Sequence, residues 1–243
     1  MSNFVENDGI KLSIPMIIFL GLFPGVIVLL IAFIFSSPII GINFSIYLSI
    51  MLATILGLIP TELGILKYFA WKSNRKIKDI IFYKEKMSVK KMILPIVIPF
   101  TFALAVFTLF TPYELKLWGN LFDFIPDWFK INKTNFSELK YLKISLVLAL
   151  VFNGFFGPFV EELYFRGFLL PRMKIFGIFA PLVNSTIFSI YHFFSPWENI
   201  SRIIAVTPIA YTVWKHKDLR LNIITHCTLN TLSVIGLIIS LLL

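Results

Sequence analysis

Residues Ile14 to Phe35 run for 22 positions without a charged side chain, and that stretch restricts what the chain can become. About 20 apolar residues in a helix match the hydrocarbon thickness of a bilayer. In lipid, each backbone N–H and C=O must be satisfied inside the protein, which leaves a spanning helix as the stable form of such a run. No basic n-region precedes it and no small-residue cleavage site follows. It therefore reads as a retained helix rather than a signal peptide.

The pattern recurs at Ile42–Ala70, Met92–Phe110, Ile144–Leu170 and Phe176–Phe194, then in a short segment Ile200–Trp214, and finally from Leu221 to the C-terminus. Charged residues are only 14% of the chain, against about 25% in soluble domains. The expected fold is an all-α, polytopic membrane helix bundle of about seven transmembrane helices. Thr111–Lys143 has mixed charge and many aromatics, as suits a segment lying in the interface. Residues 1–143 thus read as helices with a basic loop and an interfacial segment, and residues 144–243 as the helical core of one integral unit.

The net charge of +9 is not a nucleic-acid footprint. Eight basic residues fall between Lys72 and Lys91, opposed only by Asp79 and Glu85. This is the signature of a cytoplasmic loop under the positive-inside rule. It puts Arg172 and Lys174, then Lys215, Lys217 and Arg220, on the same side, and the N-terminus in the cytoplasm. Short loops and the lack of a retention signal point to a multi-pass protein of a bacterial plasma membrane, with the lipid bilayer as its permanent partner.

Against this apolar background Glu161, Glu162 and Arg166 stand out, because ionised groups at bilayer depth are costly unless paired or lining a wet cavity. Glu162 and Arg166 are four apart, the acid first, the favourable orientation for a helical ion pair. Glu161 points about 100° away and is left to act on water. Glu62 is a further intramembrane acid that no motif explains; it reads as structural, a partner for an Arg or a backbone group, in preference to a residue that lines the cavity. Cys227 reads as a small buried apolar residue.

Of three histidines, His216 lies in the basic loop Lys215–Lys217 and reads as a surface residue. His192 follows Phe188 by four residues, so the ring can wall the imidazole from lipid. His226 precedes Asn230 by four, which places an imidazole and an amide on one helix face. A carboxylate, two imidazoles and an amide donor suffice for hydrolysis, with a base to activate water and N–H donors for the oxyanion. Glu161, His192 and His226 also form a possible three-ligand set for a catalytic zinc with water fourth. Spacing alone does not separate the two; the metal-free version, with no cofactor, is the preferred expectation.

In order along the chain, Glu-Glu-x-x-x-Arg at 161–166, Phe-x-x-x-His at 188–192 and His-x-x-x-Asn at 226–230 resemble the CPBP family. That family comprises CAAX prenyl endopeptidases and bacteriocin-processing or self-immunity proteins, also called Abi. The resemblance implies an intramembrane endopeptidase of glutamic rather than metallo type, acting on a membrane-associated peptide or protein. It implies that Glu161 and His192 activate water, that His226 and Asn230 stabilise the oxyanion, and that Glu162 and Arg166 hold the site together. The competing readings are a non-enzymatic bacteriocin self-immunity protein and a transporter with a proton relay. The latter predicts inverted repeats, which the sequence does not show. One requirement is geometric: His192 reaches the depth of Glu161 only if its helix begins nearer Pro181 than Phe176, or if the fifth and sixth segments do not span fully.

Overall fold

The structure, a computed structural model, describes residues 9–40, 42–118, 121–130 and 141–242. Among these residues every extended regular element is helical: α1 Ile14–Ser36, α2 Ile46–Lys72, α3 Val89–Trp118, α4 Leu142–Arg172, α5 Ala180–Ile190, α6 Asn199–His216 and α7 Arg220–Leu242. Helices α1 to α4 and α7 are long and apolar enough to cross a membrane. The protein is an all-α, multi-pass membrane bundle, with α4 in contact with α1, α2, α5, α6 and α7.

The segments expected as fifth and sixth spans take a different form. Gly177 breaks the helix with φ 52° and ψ −127°, a conformation open to glycine because it has no Cβ. Helix α5 then begins at Ala180 with Pro181 in its first turn, where a missing N–H costs nothing, and it lasts only 11 residues. It turns into α6, which packs back along it and carries Arg202 near its start. The third span also departs from expectation. It does not stop at Phe110 but passes through a widened turn, Val106–Phe110, and continues as helix to Trp118. Residues 119–120 and 131–140 of the expected interfacial segment, and residues 1–8 of the N-terminus, lie outside the described residues.

Prolines inside the helices decide much of the packing. A proline at position i gives no N–H to the carbonyl at i−4, and in lipid that carbonyl needs another donor. Pro24 frees Leu20 O, which accepts from the hydroxyl of Tyr164 on α4 at 2.8 Å. In α4 the ladder is already widened beside Pro158 and Pro171, and carbonyls left over there find outside donors: Gly154 O accepts from Thr231 Oγ1 on α7 at 3.2 Å and Gly167 O from the Phe82 N–H at 2.8 Å. Each break in one helix thus becomes a tie to a different segment.

Close approach follows the same helices. Lipid tails are as apolar as leucine, so helix association here depends on fit rather than on water exclusion. Helix α1 buries Ile17, Leu20, Gly21, Pro24, Gly25, Val28 and Ala32, a stripe at helical spacing. Its two glycines, four apart, lie against Ile187 and the Tyr191 carbonyl. A Cβ at Gly25 would collide with that backbone, so the glycine fixes how near α1 stands to the end of α5.

The three basic loops meet at one end of the bundle. Glu85 N–H donates to Lys217 O and Leu219 N–H to Tyr83 O, both at 2.9 Å, and the Lys217 ammonium lies over the Tyr83 and Trp214 rings. Asp218, only 1% exposed, accepts from Met87 N–H at 2.9 Å and from Arg220 Nε at 2.9 Å. Burial pushes its carboxyl up, but hydrogen bonds from the Arg220 guanidinium and from the Met87 and Arg220 N–H groups outweigh it and hold Asp218 below its ordinary value. A carboxylate with a lowered folded pKa adds stability above its unfolded value, about 3.9, and that contribution is lost as pH falls through the folded value. Asp218→Asn is expected to lower stability by about 1–3 kcal/mol at neutral pH. The gap in thermal midpoint between the two proteins should close as the pH is lowered below about 4.

Candidate active site

The site grows from an irregular stretch of α4. Two widened turns, Ala149–Phe156 and Glu162–Leu169, flank the regular turn Gly157–Glu161. Widened turns displace carbonyls from the usual ladder and recur at functional sites. Here they rotate Glu161 and Glu162 into the bundle, where they are 6% and 1% exposed, and Arg166 is fully buried.

Glu162 takes the role its spacing predicts and one more. Arg166 Nη1 stands 3.2 Å from Glu162 Oε1, and the same oxygen is 2.8 Å from His226 Nδ1 on α7. A carboxylate can only accept, so Nδ1 carries its proton there and Nε2 is turned toward the rest of the site. That nitrogen lies 3.8 Å from Glu161 Oε2. Arg166, Glu162, His226 and Glu161 therefore form one continuous chain of charged and titratable groups.

Glu161 has no arginine partner, but it has a neutral one that spacing does not reveal. The hydroxyl of Tyr191, itself fully buried, donates to Glu161 Oε1. Oε1 is thereby occupied, and Oε2 is the oxygen that faces His226.

His192 is placed by a helix end. Helix α5 stops at Ile190, and the His192 N–H bonds Ser189 O. This leaves the Phe188 carbonyl for the imidazole, whose Nδ1 sits 2.7 Å away. A carbonyl also only accepts, so His192 too holds its proton on Nδ1 and presents Nε2 with a free lone pair. The depth requirement is met by the late start of α5. Glu161 lies eleven residues before Arg172 and Tyr191 eleven after Ala180, about 16 Å in each case at 1.5 Å per residue. No hydrogen bond joins His192 to Glu161 among the described residues; Tyr191 touches both, its hydroxyl on Glu161 Oε1 and its ring 4.3 Å from the imidazole.

Two expected residues have other surroundings. Phe188 does not wall His192 from lipid but is buried at the centre, with ring distances of 4.9 Å to His192 and 5.7 Å to His226. Arg166 Cζ lies 4.1 Å above its face, a cation–π contact that supports a desolvated guanidinium. Asn230 shares the His226 face of α7, yet its Nδ2 donates to Asn153 O on α4 at 3.0 Å. That carbonyl is next to the Gly154 carbonyl that accepts from Thr231, so Asn230 ties α7 to the widened turn.

Spacing alone missed two residues. Tyr191 is adjacent to His192, and a tyrosine beside a motif histidine was the available signal. Arg202 follows Glu198 by four, the same acid-first spacing as Glu162 and Arg166. It is paired with Glu198 Oε2 at 3.0 Å, bonds Ser195 Oγ at 2.8 Å and Ser189 O at 3.3 Å, and its charge reaches both Glu161 and His192. Glu114 of α3 accepts from the N–H groups of Ile200 and Ser201, each at 2.7 Å, satisfying orphan donors at the start of α6. Together these bonds hold the turn that bears His192.

Among the described residues no three His, Cys, Asp or Glu side chains are grouped to hold one ion, and one Glu161 oxygen is engaged by Tyr191.

With this geometry in place, residues 143–232 match the family model described as type II CAAX prenyl endopeptidase, Rce1-like. The matched segment contains all three motifs. No curated protein and no solved structure matches the chain.

The chain of contacts separates the two glutamates by their structural cost. Breaking a buried pair leaves an uncompensated charge, at about 3–5 kcal/mol. Glu162→Gln, which strands Arg166, is expected to lower the thermal midpoint of the purified protein strongly. Glu161→Gln, which strands no cation, is expected to leave it nearly unchanged.

Proposed function

We propose that this protein, whose residues 143–232 are similar to Rce1-like type II CAAX prenyl endopeptidases, is an intramembrane endopeptidase of glutamic type. It would hydrolyse a peptide bond in a membrane-associated protein or peptide near the cytoplasmic leaflet of a plasma membrane. The observation that carries the reading is the convergence of Glu161, His226 and the Tyr191–His192 pair on one buried locus within that matched segment.

In the proposed reaction a water molecule lies between Glu161 Oε2 and His192 Nε2. Its oxygen attacks the scissile carbonyl carbon while its proton passes to this base pair. The carbonyl becomes an oxyanion. Doubly protonated His226, held through Nδ1 by Glu162, offers Nε2–H to that oxygen. The second Asn230 amide N–H is the further donor that the family resemblance implies. When the C–N bond breaks, the proton held by the base passes to the leaving nitrogen, releasing an amine and a carboxylic acid, which gives up its remaining proton to solvent as a carboxylate. Glu162 and Arg166 fix His226 and do not meet the substrate.

Tyr191 is assigned to orientation. By holding Oε1 it aims Oε2 at the water, and its carbonyl is in turn fixed against Gly25 of α1. The basic residues gathered at one end suit a cytoplasmic face under the positive-inside rule. They also suit contact with anionic headgroups.

The test is cleavage of an internally quenched farnesylated CAAX peptide by full-length protein in bilayer nanodiscs. Glu161→Gln is expected to abolish turnover while the protein remains folded, and wild-type turnover should survive exhaustive chelation. Full activity in the Glu161 variant would sink the mechanism. If the protein instead protects cells against a peptide toxin, with Glu161→Gln protecting as well as wild type, the non-enzymatic immunity reading is correct.

Tyr191→Phe keeps the ring and removes only the hydroxyl. Its kcat is expected to fall about ten- to a hundredfold, the range that follows when a reacting group is misplaced by about 1 Å, with KM little changed. Initial rates across substrate concentrations measure both.

A further inference from the structure

Helices α1 and α2 touch at one level and part at another. A Cβ at Gly57 would come within 2.9 Å of Ile31 Cδ1 and 3.3 Å of Ile27 Cγ2, so the two helices stand close there. Gly57 lies in the widened turn Thr54–Leu58, which Pro60 follows, and such turns and prolines are the usual causes of a helix kink. Beyond them the helices leave a wedge of about 510 Å³, within the range of small-molecule sites, about 300–1,000 Å³. It is lined by α1 and α2 alone, from Met16 to Phe23 on one side and from Pro60 to Phe69 on the other. Nearly all of the lining is apolar, and Met16, Phe19 and Tyr68 are exposed. The wedge therefore opens sideways, on the lipid-facing surface of the bundle.

Gly64 keeps it open. Gly57 has a close neighbour on α1, but a Cβ at Gly64 would meet nothing within 4 Å. A glycine inside a helix costs stability relative to alanine, and here no close packing contact offsets that cost.

The wedge also has a charged end. Pro60 and Phe69 are about 14 Å apart along the helix at 1.5 Å per residue, close to half of a hydrocarbon core of about 30 Å. The α2 stripe Thr61, Gly64, Tyr68 continues at helical spacing to Lys72, whose ammonium lies 5.8 Å from the centre of the Tyr68 ring. Among the described residues Lys72 has no carboxylate partner. Trp71 beside it is exposed, and exposed tryptophan marks the headgroup level. Lys72 is also the first of the eight basic residues that run to Lys91. A hydrocarbon slot one leaflet deep thus ends beneath a cation.

We propose that the wedge between α1 and α2 binds an anionic phospholipid from the leaflet at the basic end of the bundle. One acyl chain lies beside Gly64, and the phosphate is held by the Lys72 ammonium and the Tyr68 hydroxyl. A resident lipid is favoured over the lipid group of a substrate, because Glu161, His192 and His226 belong to α4, α7 and the turn after α5, and none of these lines the wedge. The walls are nevertheless joined to α4: Leu20 O accepts from Tyr164, and Phe69 lies against Phe168. A bound chain steadies α1 and α2 against that helix, whatever chemistry its acids perform.

The test is native mass spectrometry of delipidated full-length protein in detergent, with dioleoyl phosphatidylglycerol or dioleoyl phosphatidylcholine added at equal concentration. One phosphatidylglycerol adduct is expected to survive activation that strips the rest, about fivefold more abundant than its phosphatidylcholine counterpart, as one lysine near anionic lipid implies. Gly64→Leu is expected to lose that adduct while its thermal midpoint is unchanged or raised, and Thr61→Leu, on the same stripe, to lose it as well. Lys72→Gln is expected to abolish the preference between the two lipids. If both obstructing variants retain phosphatidylglycerol as wild type does, the lipid lies elsewhere and the site is overturned. Equal retention of the two lipids by wild type, or a preference that survives Lys72→Gln, overturns the headgroup contact. Displacement of phosphatidylglycerol, one for one, by the farnesylated CAAX peptide would assign the wedge to a substrate and overturn the resident lipid.

Discussion

The structure depends on one obligation: backbone carbonyls freed inside lipid must find a donor. Pro24 in α1 and the widened turns beside Pro158 and Pro171 in α4 leave carbonyls without a helical donor, and the donors that replace it are Tyr164 on α4, Thr231 on α7 and the Phe82 N–H of the basic loop. Three otherwise featureless apolar helices are thereby fixed in register. Since leucine gains little by leaving lipid for another leucine, such directional ties, with close contacts at Gly21 and Gly25, determine the arrangement more than burial does.

The same obligation builds the site. Widened turns in α4 turn two adjacent glutamates inward and offer stray carbonyls to Asn230, Thr231 and Cys227 of α7. That ties α7 to α4 and brings His226 to Glu162. At the end of α5 an orphan carbonyl takes the His192 imidazole. Both histidines thus have Nδ1–H fixed by an acceptor that cannot donate, with Nε2 turned into the site. The charge cluster is secondary in origin: it is tolerable because the carbonyl ties hold its members close enough to compensate one another.

Much of this was legible in the sequence. The apolar runs Ile14–Phe35, Met92–Phe110 and Ile144–Leu170 identify membrane helices because length and hydropathy are local properties. Acid-first spacing identifies the Glu162–Arg166 pair for the same reason. The three motifs single out the family matched by residues 143–232. Less legible were the short α5 and the extension of α3 to Trp118, since Gly177 and the widened turn at Val106–Phe110 act through backbone geometry rather than composition.

The sequence by itself determined that the chain is a bundle of membrane helices with a buried pair of acids, one of them answered by an arginine four residues on. Only the tertiary structure decided what those acids face. Tyr191 on Glu161 and His226 on Glu162 are encounters between helices. Helical periodicity states the side from which a residue projects, not what stands opposite. Here that was decided by where prolines and widened turns left carbonyls to be satisfied. The adjacent pair of glutamates is therefore legible as a feature of one helix, and its division of labour only as a property of the bundle.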